Sequence, residues 1–306
     1  MEFNIISNVN IQVFLIEEGK EIAKATCYFK NTPKVDGKNI GAIGELEANN
    51  EESGIKILKK CEELLKGKRV KLIVGPMNGN TWKKYRTEKY SNGEPNFLLE
   101  NVNPIQQNQI FLKAGFKEMY TYTSTKGLIQ DAYEAETLDI IENNIKEENI
   151  MIRKFNKTNY KQDLKKIYNV STKSFTRNPF YTDISEEEFI NQYEPYINMV
   201  DEELILIAEK DGEELGFVFC IPDFNQLKIE GKLSTLILKT IAVLPEYESL
   251  AIGNIMLRYI AKTAQKKNFE KWIFAFMHSN NTSQKMAKRN NTQVIREYAL
   301  YGKDIV

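Results

Sequence analysis

From Leu236 to Leu244 the chain reads Leu-Ile-Leu-Lys-Thr-Ile-Ala-Val-Leu, and Lys239 is the one charge in that run. A long, nearly all-apolar stretch rich in branched residues and closed by Pro245 is the pattern of a buried strand. A loop from Pro245 to Gly253 follows. Ile252, Met256, Ile260 and Ala264 then recur along one face of a helix over Ile252–Lys266. A buried strand, a short loop and an amphipathic helix are one unit of a layered α/β fold.

The sequence on either side extends that unit. Ile150–Phe155 reads as a strand and Tyr160–Phe175 as a helix. Ser185 with Glu188 forms a capping box before a helix over Glu186–Tyr193. Leu204–Glu209 and Leu215–Ile221 are strands joined through Lys210-Asp211-Gly212, a hairpin turn. Lys271–Met277 is a second buried strand, Ser283–Arg289 a short helix and Val294–Tyr301 a final strand. The order is strand, helices, hairpin, strand, helix, strand, helix, strand, an α/β pattern around a mixed sheet.

The first half repeats this order more weakly. Ile11–Glu17 and Glu21–Phe29 read as a hairpin, Asn39–Leu46 as a strand, and Ile55, Leu58, Cys61 and Leu65 as one face of a helix that Gly67 ends. Val70–Val74 is a short buried strand running into the turn-rich Gly75-Pro76-Met77-Asn78-Gly79-Asn80. Ala132–Asn149 is acidic, lacks glycine and proline, and reads as a connecting helix. The expected division is therefore residues 1–148 and 149–306.

A length of 306 residues suits two domains. With 42 basic and 42 acidic side chains the net charge is zero, which gives no electrostatic case for a nucleic-acid partner. Cys27, Cys61 and Cys220 lie far apart in apolar stretches, the spacing of buried thiols rather than of a disulfide framework or a zinc site. No metal is expected. The first ten residues lack a basic stretch before an apolar core, and no apolar run nears the ~20 residues that cross a bilayer. The expected compartment is the cytoplasm, with no membrane partner.

The loop after the long strand carries the chemistry. Small residues at Ser249, Ala251 and Gly253 let an anion approach the backbone, and the helix start offers amides and a positive dipole end. Spacing alone favours a plain tight turn. Ile241-Ala242-Val243-Leu244-Pro245, then Glu248-x-x-Ala251-x-Gly253, then Asn254-Ile255-Met256-Leu257, resembles the central motif of the GNAT superfamily of acetyl-CoA-dependent N-acetyltransferases. That motif is an apolar strand ending in Val-x-Pro, then Arg/Gln-x-x-Gly-x-Gly/Ala, then a helix. The resemblance implies two GNAT-like domains, each a mixed, mostly antiparallel sheet flanked by helices. It implies that backbone amides of Ser249, Leu250, Ala251, Ile252, Gly253 and Asn254 hold the pyrophosphate of coenzyme A. It also implies that the edge of Ile241, Ala242 and Val243 pairs with the pantetheine arm, in a slot where the strand splays from its neighbour. Glu248 stands where the family has arginine or glutamine. A carboxylate beside pyrophosphate is repelled unless it turns outward or is paired. Ala251 stands for the first glycine and fits if its backbone is not left-handed.

Asn280-x-x-Ser283-x-x-Met286-Ala287 resembles the family's Asn-x-x-Ala-x-x-Leu-Tyr helix. Asn280 or Asn281 is then a partner for the pantetheine, and Ser283 either lines the arm or caps its helix. The family's tyrosine acid is Ala287 here. His278, the one histidine, ends its strand beside the expected slot and is either the base for the amine or a plain strand-end histidine. Tyr298 and Tyr301 are candidate replacement acids or packing residues. Glu246 and Glu297 are further base candidates. Val243 N–H is the candidate donor to the thioester oxygen. By the same resemblance, Phe175, Arg177, Phe180 and Tyr181 lie in the segment that covers the acceptor pocket.

The N-terminal half resembles a degenerate copy, with Ala48–Ser53 in place of the phosphate loop and Glu47, Glu51 and Glu52 in it. Trp82, Tyr85 and Arg86 after the Gly-Pro turn, and the later Asn103-Pro104, read first as a packed turn and secondarily as the border of a site. The resulting expectation is an N-acetyltransferase acting in its C-terminal half on a small-molecule or peptide amine. Its alternatives are a non-catalytic acyl-CoA-binding or interaction protein on the same scaffold, and an aminoacyl-tRNA-dependent transferase, which the neutral charge disfavours.

Overall fold

The structure, a computed structural model, describes residues 1–101 and 106–305, so Asn103-Pro104 lie outside the described residues. The N-terminal half runs β1 (Glu2–Ser7), β2 (Ile11–Glu17), β3 (Lys20–Tyr28), a small hairpin of β4 (Lys34–Val35) and β5 (Lys38–Asn39), then β6 (Gly41–Ala48), α1 (Glu51–Lys66), β7 (Leu72–Gly75), β8 (Thr87–Ser91), α2 (Gln106–Lys113) and β9 (Lys117–Leu128). The connecting helix is α3 (Glu136–Glu147). The C-terminal half runs β10 (Ile150–Lys154), α4 (Tyr160–Ser174), α5 (Glu186–Tyr193), β11 (Ile205–Lys210), β12 (Glu213–Pro222), α6 (Phe224–Glu230), β13 (Thr235–Val243), α7 (Ile252–Lys266), β14 (Lys271–His278), α8 (Ser283–Arg289) and β15 (Gln293–Asp304).

The two halves repeat one topology. In each, an antiparallel meander (β2-β3-β6 and β11-β12-β13) leads through a crossover helix, α1 or α7, to a parallel neighbour, β7 or β14. The crossover helices bury Ile57, Leu58, Cys61 and Leu65 in one case and Ile252, Met256, Ile260 and Ala264 in the other, the faces expected from their spacing. The three cysteines are buried free thiols. No helix among the described residues is long and apolar enough to cross a membrane.

What the sequence pattern did not signal is an exchange of last strands. β9 ends the N-terminal half yet pairs with β14, while β15 ends the C-terminal half yet pairs with β7 and β8. The two exchanged strands also pair with each other over Lys117–Lys126 and Gln293–Gly302. The expected two sheets are thus joined into one sheet of 13 strands, with order β1-β2-β3-β6-β7-β15-β9-β14-β13-β12-β11-β10 and β8 beside β15. β10 opens the second repeat at Ile150, while each side of the sheet borrows one strand from the other.

Several elements fall outside the expected pattern, among them β4, α2 and β9. β1 is an exposed edge, α6 is a short helix, and β8 is a polar strand on the edge of β15. None of these last three has enough apolar periodicity to register by pattern alone.

Candidate functional site

The ladder between β13 and β14 covers Thr235–Leu238 against Lys271–Phe274 and stops there. Beyond it Lys239–Val243 continues to pair only with β12, across a register shift at Phe219/Cys220. The strand splays where expected. Direction along it can be assigned. Leu244 N–H donates to Leu215 O across β12 at 2.8 Å. Backbone groups alternate sides along a strand, so those of Val243 and Ile241 face away from β12, into the gap. Val243 carbonyl there accepts from Ser174 Oγ at 3.1 Å, and its N–H points the same way.

At the far end of β13 the loop is wound into a short 3₁₀ turn over Pro245–Leu250. The amides of Ala251 and Asn254 are used inside it, on Glu248 O at 3.2 Å and Ala251 O at 2.9 Å. This narrows the expected set of anion-holding amides to those opening α7, at Ile252 and Gly253, where no side chain caps the helix. Ala251 has φ 54° and ψ 27°, the left-handed region. A right-handed turn followed by a left-handed residue forms a concave nest of N–H groups suited to an anion. It also explains why the related motif has glycine at this position, since alanine there costs about 1–2 kcal/mol. Glu248 is exposed and lies 3.6 Å from Arg177, so the carboxylate is paired and turned outward.

Gly253 closes the inner side. A Cβ on it would lie 3.5 Å from Ile241, 3.6 Å from Met286 and 3.8 Å from Val243. The loop, β13 and α8 therefore converge on this residue. One turn before Met286, Ser283 Oγ is shielded from solvent and has no hydrogen-bond partner. Thr282 stands at the helix cap and Ser283 N–H donates to Asn281 Oδ1 at 3.3 Å, so Ser283 is the first helical residue rather than its cap. Asn280 is exposed and gives only its backbone N–H, to His278 Nδ1 at 3.2 Å. An uncapped helix start, an unpaired strand edge and a shielded hydroxyl seeking a partner are together compatible with the diphosphate and amide-bearing arm of coenzyme A.

The catalytic candidates are placed differently from expectation. His278 Nδ1 accepts from Asn280 N–H, which puts the proton of the neutral ring on Nε2. Desolvation lowers its pKa, so it stays neutral. Nε2 has no partner. In this tautomer Nε2 is a hydrogen-bond donor and Nδ1 is engaged by the backbone, the arrangement of the strand-end histidine. Tyr298 is buried, and its hydroxyl donates to Glu100 and lies 3.3 Å from Ser124 Oγ. Burial pushes its pKa strongly up. The exchange of β15 removes both Tyr298 and Tyr301 from the C-terminal slot, and Tyr301 stacks on Phe111 in the N-terminal core at 5.6 Å. Neither is placed to act as the acid. Glu246 is exposed on the loop, and Glu297 sits opposite Thr123 on β15, away from β13.

The N-terminal copy is closed at each equivalent point. α1 is capped by a reciprocal box in which Asn50 Oδ1 accepts from Ser53 N–H at 2.9 Å and Ser53 Oγ accepts from Asn50 N–H at 3.3 Å. The gap beyond the short β6–β7 ladder is filled by the chain itself. Met77 N–H donates to Ile43 O at 2.8 Å, and Glu45 N–H donates to Asn78 Oδ1 at 3.1 Å. Gly44 is required there, because a Cβ would stand 2.3 Å from Asn78 Oδ1.

Residues 164–291 match the model of the acetyltransferase (GNAT) family, which bears out the resemblance read from the strand–loop–helix motif. A search of curated proteins finds no match. Among solved structures, the fold is similar to a GCN5-related N-acetyltransferase from Sphaerobacter thermophilus, with TM-score 0.54, 12% identity, and 96% of this chain and 80% of that one covered. It is similar to a tandem GNAT protein from the clavulanic acid biosynthesis pathway, with TM-score 0.52, 8% identity, and 96% and 82% covered. It is also similar to the GCN5-related glucosamine N-acetyltransferase region of a fungal multi-domain GH3 β-N-acetylglucosaminidase, with TM-score 0.56 and 14% identity. There 97% of this chain covers only 33% of the other. At these identities the likeness is one of fold.

Proposed function

We propose that the C-terminal half binds acetyl-CoA and transfers its acetyl group to an amine of a small molecule or peptide. The observation that carries this reading is the contrast between the two copies of one unit. In the C-terminal copy the strand edge is unpaired, the helix start uncapped and Ser283 Oγ unpartnered. In the N-terminal copy the gap is filled by Met77 and Asn78 and the helix is capped. Acetyl-CoA supplies an activated thioester. Transfer forms an N–C bond and breaks the C–S bond; the amine loses a proton and the thiolate gains one. In this reading the inward N–H of Val243 holds the thioester oxygen, the edge of Ile241–Val243 orients the arm, and the nest at Ala251–Gly253 anchors the diphosphate. Positioning supplies most of the rate. With Ala287 at the motif tyrosine and Tyr298 committed to Glu100, protons are left to exchange with water.

Calorimetric titration with acetyl-CoA tests this on the wild type and on Gly253→Trp. The indole would have to displace Ile241 and Met286, whose side chains lie 3.5 and 3.6 Å from the position of a Cβ. One site in the wild type that is lost in the variant is the expected result. No binding to the wild type, or binding unaffected by the substitution, would overturn the assignment. A second reading, acyl-CoA binding without turnover, is favoured by the same lack of a placed acid. Thiol release from acetyl-CoA over a panel of amines separates the two.

A further inference from the structure

The end of β14 is not bordered by the C-terminal half alone. His278 pairs in register with Tyr122 of β9, and Ser279 N–H donates to Thr121 O at 3.0 Å. The exchanged strand therefore sets two N-terminal rings against the imidazole, with Tyr120 at 5.5 Å and Tyr122 at 5.3 Å. Tyr120 in turn meets Phe180 edge-on at 5.5 Å. The segment carrying Phe180 is tied down by the N-terminal half, through Trp82 Nε1 to Thr182 O at 2.7 Å and Thr81 Oγ1 to Phe180 O at 3.4 Å.

Phe276 completes the cluster from β14 itself. It has φ 56°, and Phe180 has φ 58°. Left-handed backbone is uncommon for bulky residues and costs about 1–3 kcal/mol each, a cost that collects at ligand sites. Tyr120, Phe180, Phe276 and His278 are each only half-buried, so their rings present an aromatic patch to solvent above the core they pack on. The charged group in ring contact with this cluster is a cation. The Arg86 guanidinium lies 4.4 Å from the Phe276 ring and 4.7 Å from Tyr122. A patch of aromatic rings suits a flat apolar body.

We propose that this patch is the acceptor-binding mouth of the acetyl-transfer site, that it takes a primary amine carried on a flat apolar body, and that Tyr120 of the N-terminal half, backed by the buried Tyr122, sets its specificity. His278 lies at its edge, with Nε2 shielded and unpartnered. The inference rests on the acetyl-CoA reading and gives the N-terminal half a purpose its own closed slot does not. Sequence reasoning looked for the acceptor wall within the C-terminal half and could not place Tyr120 beside His278.

Because His278 is the one histidine, its ring resonances report on this place alone. The experiment uses the full chain, first with acetyl-CoA by calorimetry, then with coenzyme A bound while 2-phenylethylamine or 1,4-diaminobutane is added. The expected result is a saturable shift of the His278 signals with 2-phenylethylamine and none with the diamine. Tyr120→Leu, and separately Phe180→Leu, should weaken the aromatic amine at least five-fold and leave acetyl-CoA affinity unchanged, while Tyr120→Phe should behave as wild type. If acetyl-CoA binds but the amine leaves His278 unmoved, the mouth is elsewhere and the acetyl-CoA reading stands. An equal response to the diamine overturns the substrate class. If acetyl-CoA does not bind at all, both readings fall together.

Discussion

Arg296 offers a direct test of the strand exchange. It lies on β15, contributed by the C-terminal half, and is 1% exposed. Its partners all come from the N-terminal half apart from its neighbour's carbonyl. Nε lies 3.2 Å from Glu88 and 3.3 Å from Glu100, Nη1 is 3.4 Å from Asn92 Oδ1, and Nη2 donates to Glu94 O. The Glu100 side chain is fully buried. Replacing Arg296 by methionine keeps most of the volume and leaves two carboxylates without their cation. Breaking such a buried pair from one side costs about 3–5 kcal/mol. A chain of 306 residues has an unfolding entropy of roughly 0.6 kcal/mol per degree, so the melting temperature should fall by about 5–8 °C.

The pH dependence is the sharper signature. Burial raises the carboxyls of both Glu88 and Glu100 above their ordinary value even with the guanidinium in place. A group with a raised folded pKa contributes stability that is fully present below its unfolded pKa and lost as pH rises through the folded value. Arg296 opposes that rise, so its removal moves both folded pKa values further up. The deficit of Arg296→Met should therefore be largest near pH 8 and shrink toward pH 5, and Glu100→Gln added to it should recover part of the loss at pH 8. Thermal melts at several pH values read all of this. A drop under 2 °C, or a deficit that does not change with pH, would refute the reasoning that these carboxylates depend on a cation supplied by the exchanged strand.

Three further outcomes are expected. Ala251→Gly relieves a left-handed alanine worth about 1–2 kcal/mol and gives back roughly 0.5–1 kcal/mol of backbone entropy, so the melting temperature should rise slightly, with acetyl-CoA affinity in calorimetry equal or tighter. Gly44→Ala places a Cβ 2.3 Å from Asn78 Oδ1 and 2.6 Å from Met77 O, and should cost about 1–3 kcal/mol by chemical denaturation without weakening acetyl-CoA. His278 should titrate in the magnetic resonance spectrum with a midpoint below its ordinary 6.5, because desolvation depresses its pKa. Its contribution to stability is then present above the unfolded value and lost as pH falls through the lowered one.

Local chemistry was legible in the sequence. The helix Ile252–Lys266 and the short helix Ser283–Arg289 fall where their spacing places them. The splay after Leu238 follows from a motif whose apolar strand, proline and loop length are all written in consecutive residues. The strand exchange was not legible, because β9 and β15 are each acceptable last strands for either half. Their apolar alternation satisfies both cores, and pairing partners more than a hundred residues away leave no local mark. The tautomer of His278 was hidden for the same reason, being set by the amide of Asn280 in the folded turn.

The exchange also joins the two halves structurally. A degenerate copy that had lost its own slot would be free to diverge away if it folded apart. Here its last strand pairs with β14 on the edge opposite β13, and in return β15 supplies the strand that closes the N-terminal core, with Tyr301 stacked on Phe111 and Ala299 buried beside it. Neither sheet half is complete without the other's strand, so the closed copy cannot be removed without unpairing β14 along Lys271–Phe274 and at Met277 and His278. A chain truncated to its C-terminal half would expose that edge and free β15, whose partners β7, β8 and β9 would all be gone. The family match spans 164–291, but β14 within it is paired along its outer edge by a strand that lies before the match, the one carrying Tyr120 and Tyr122.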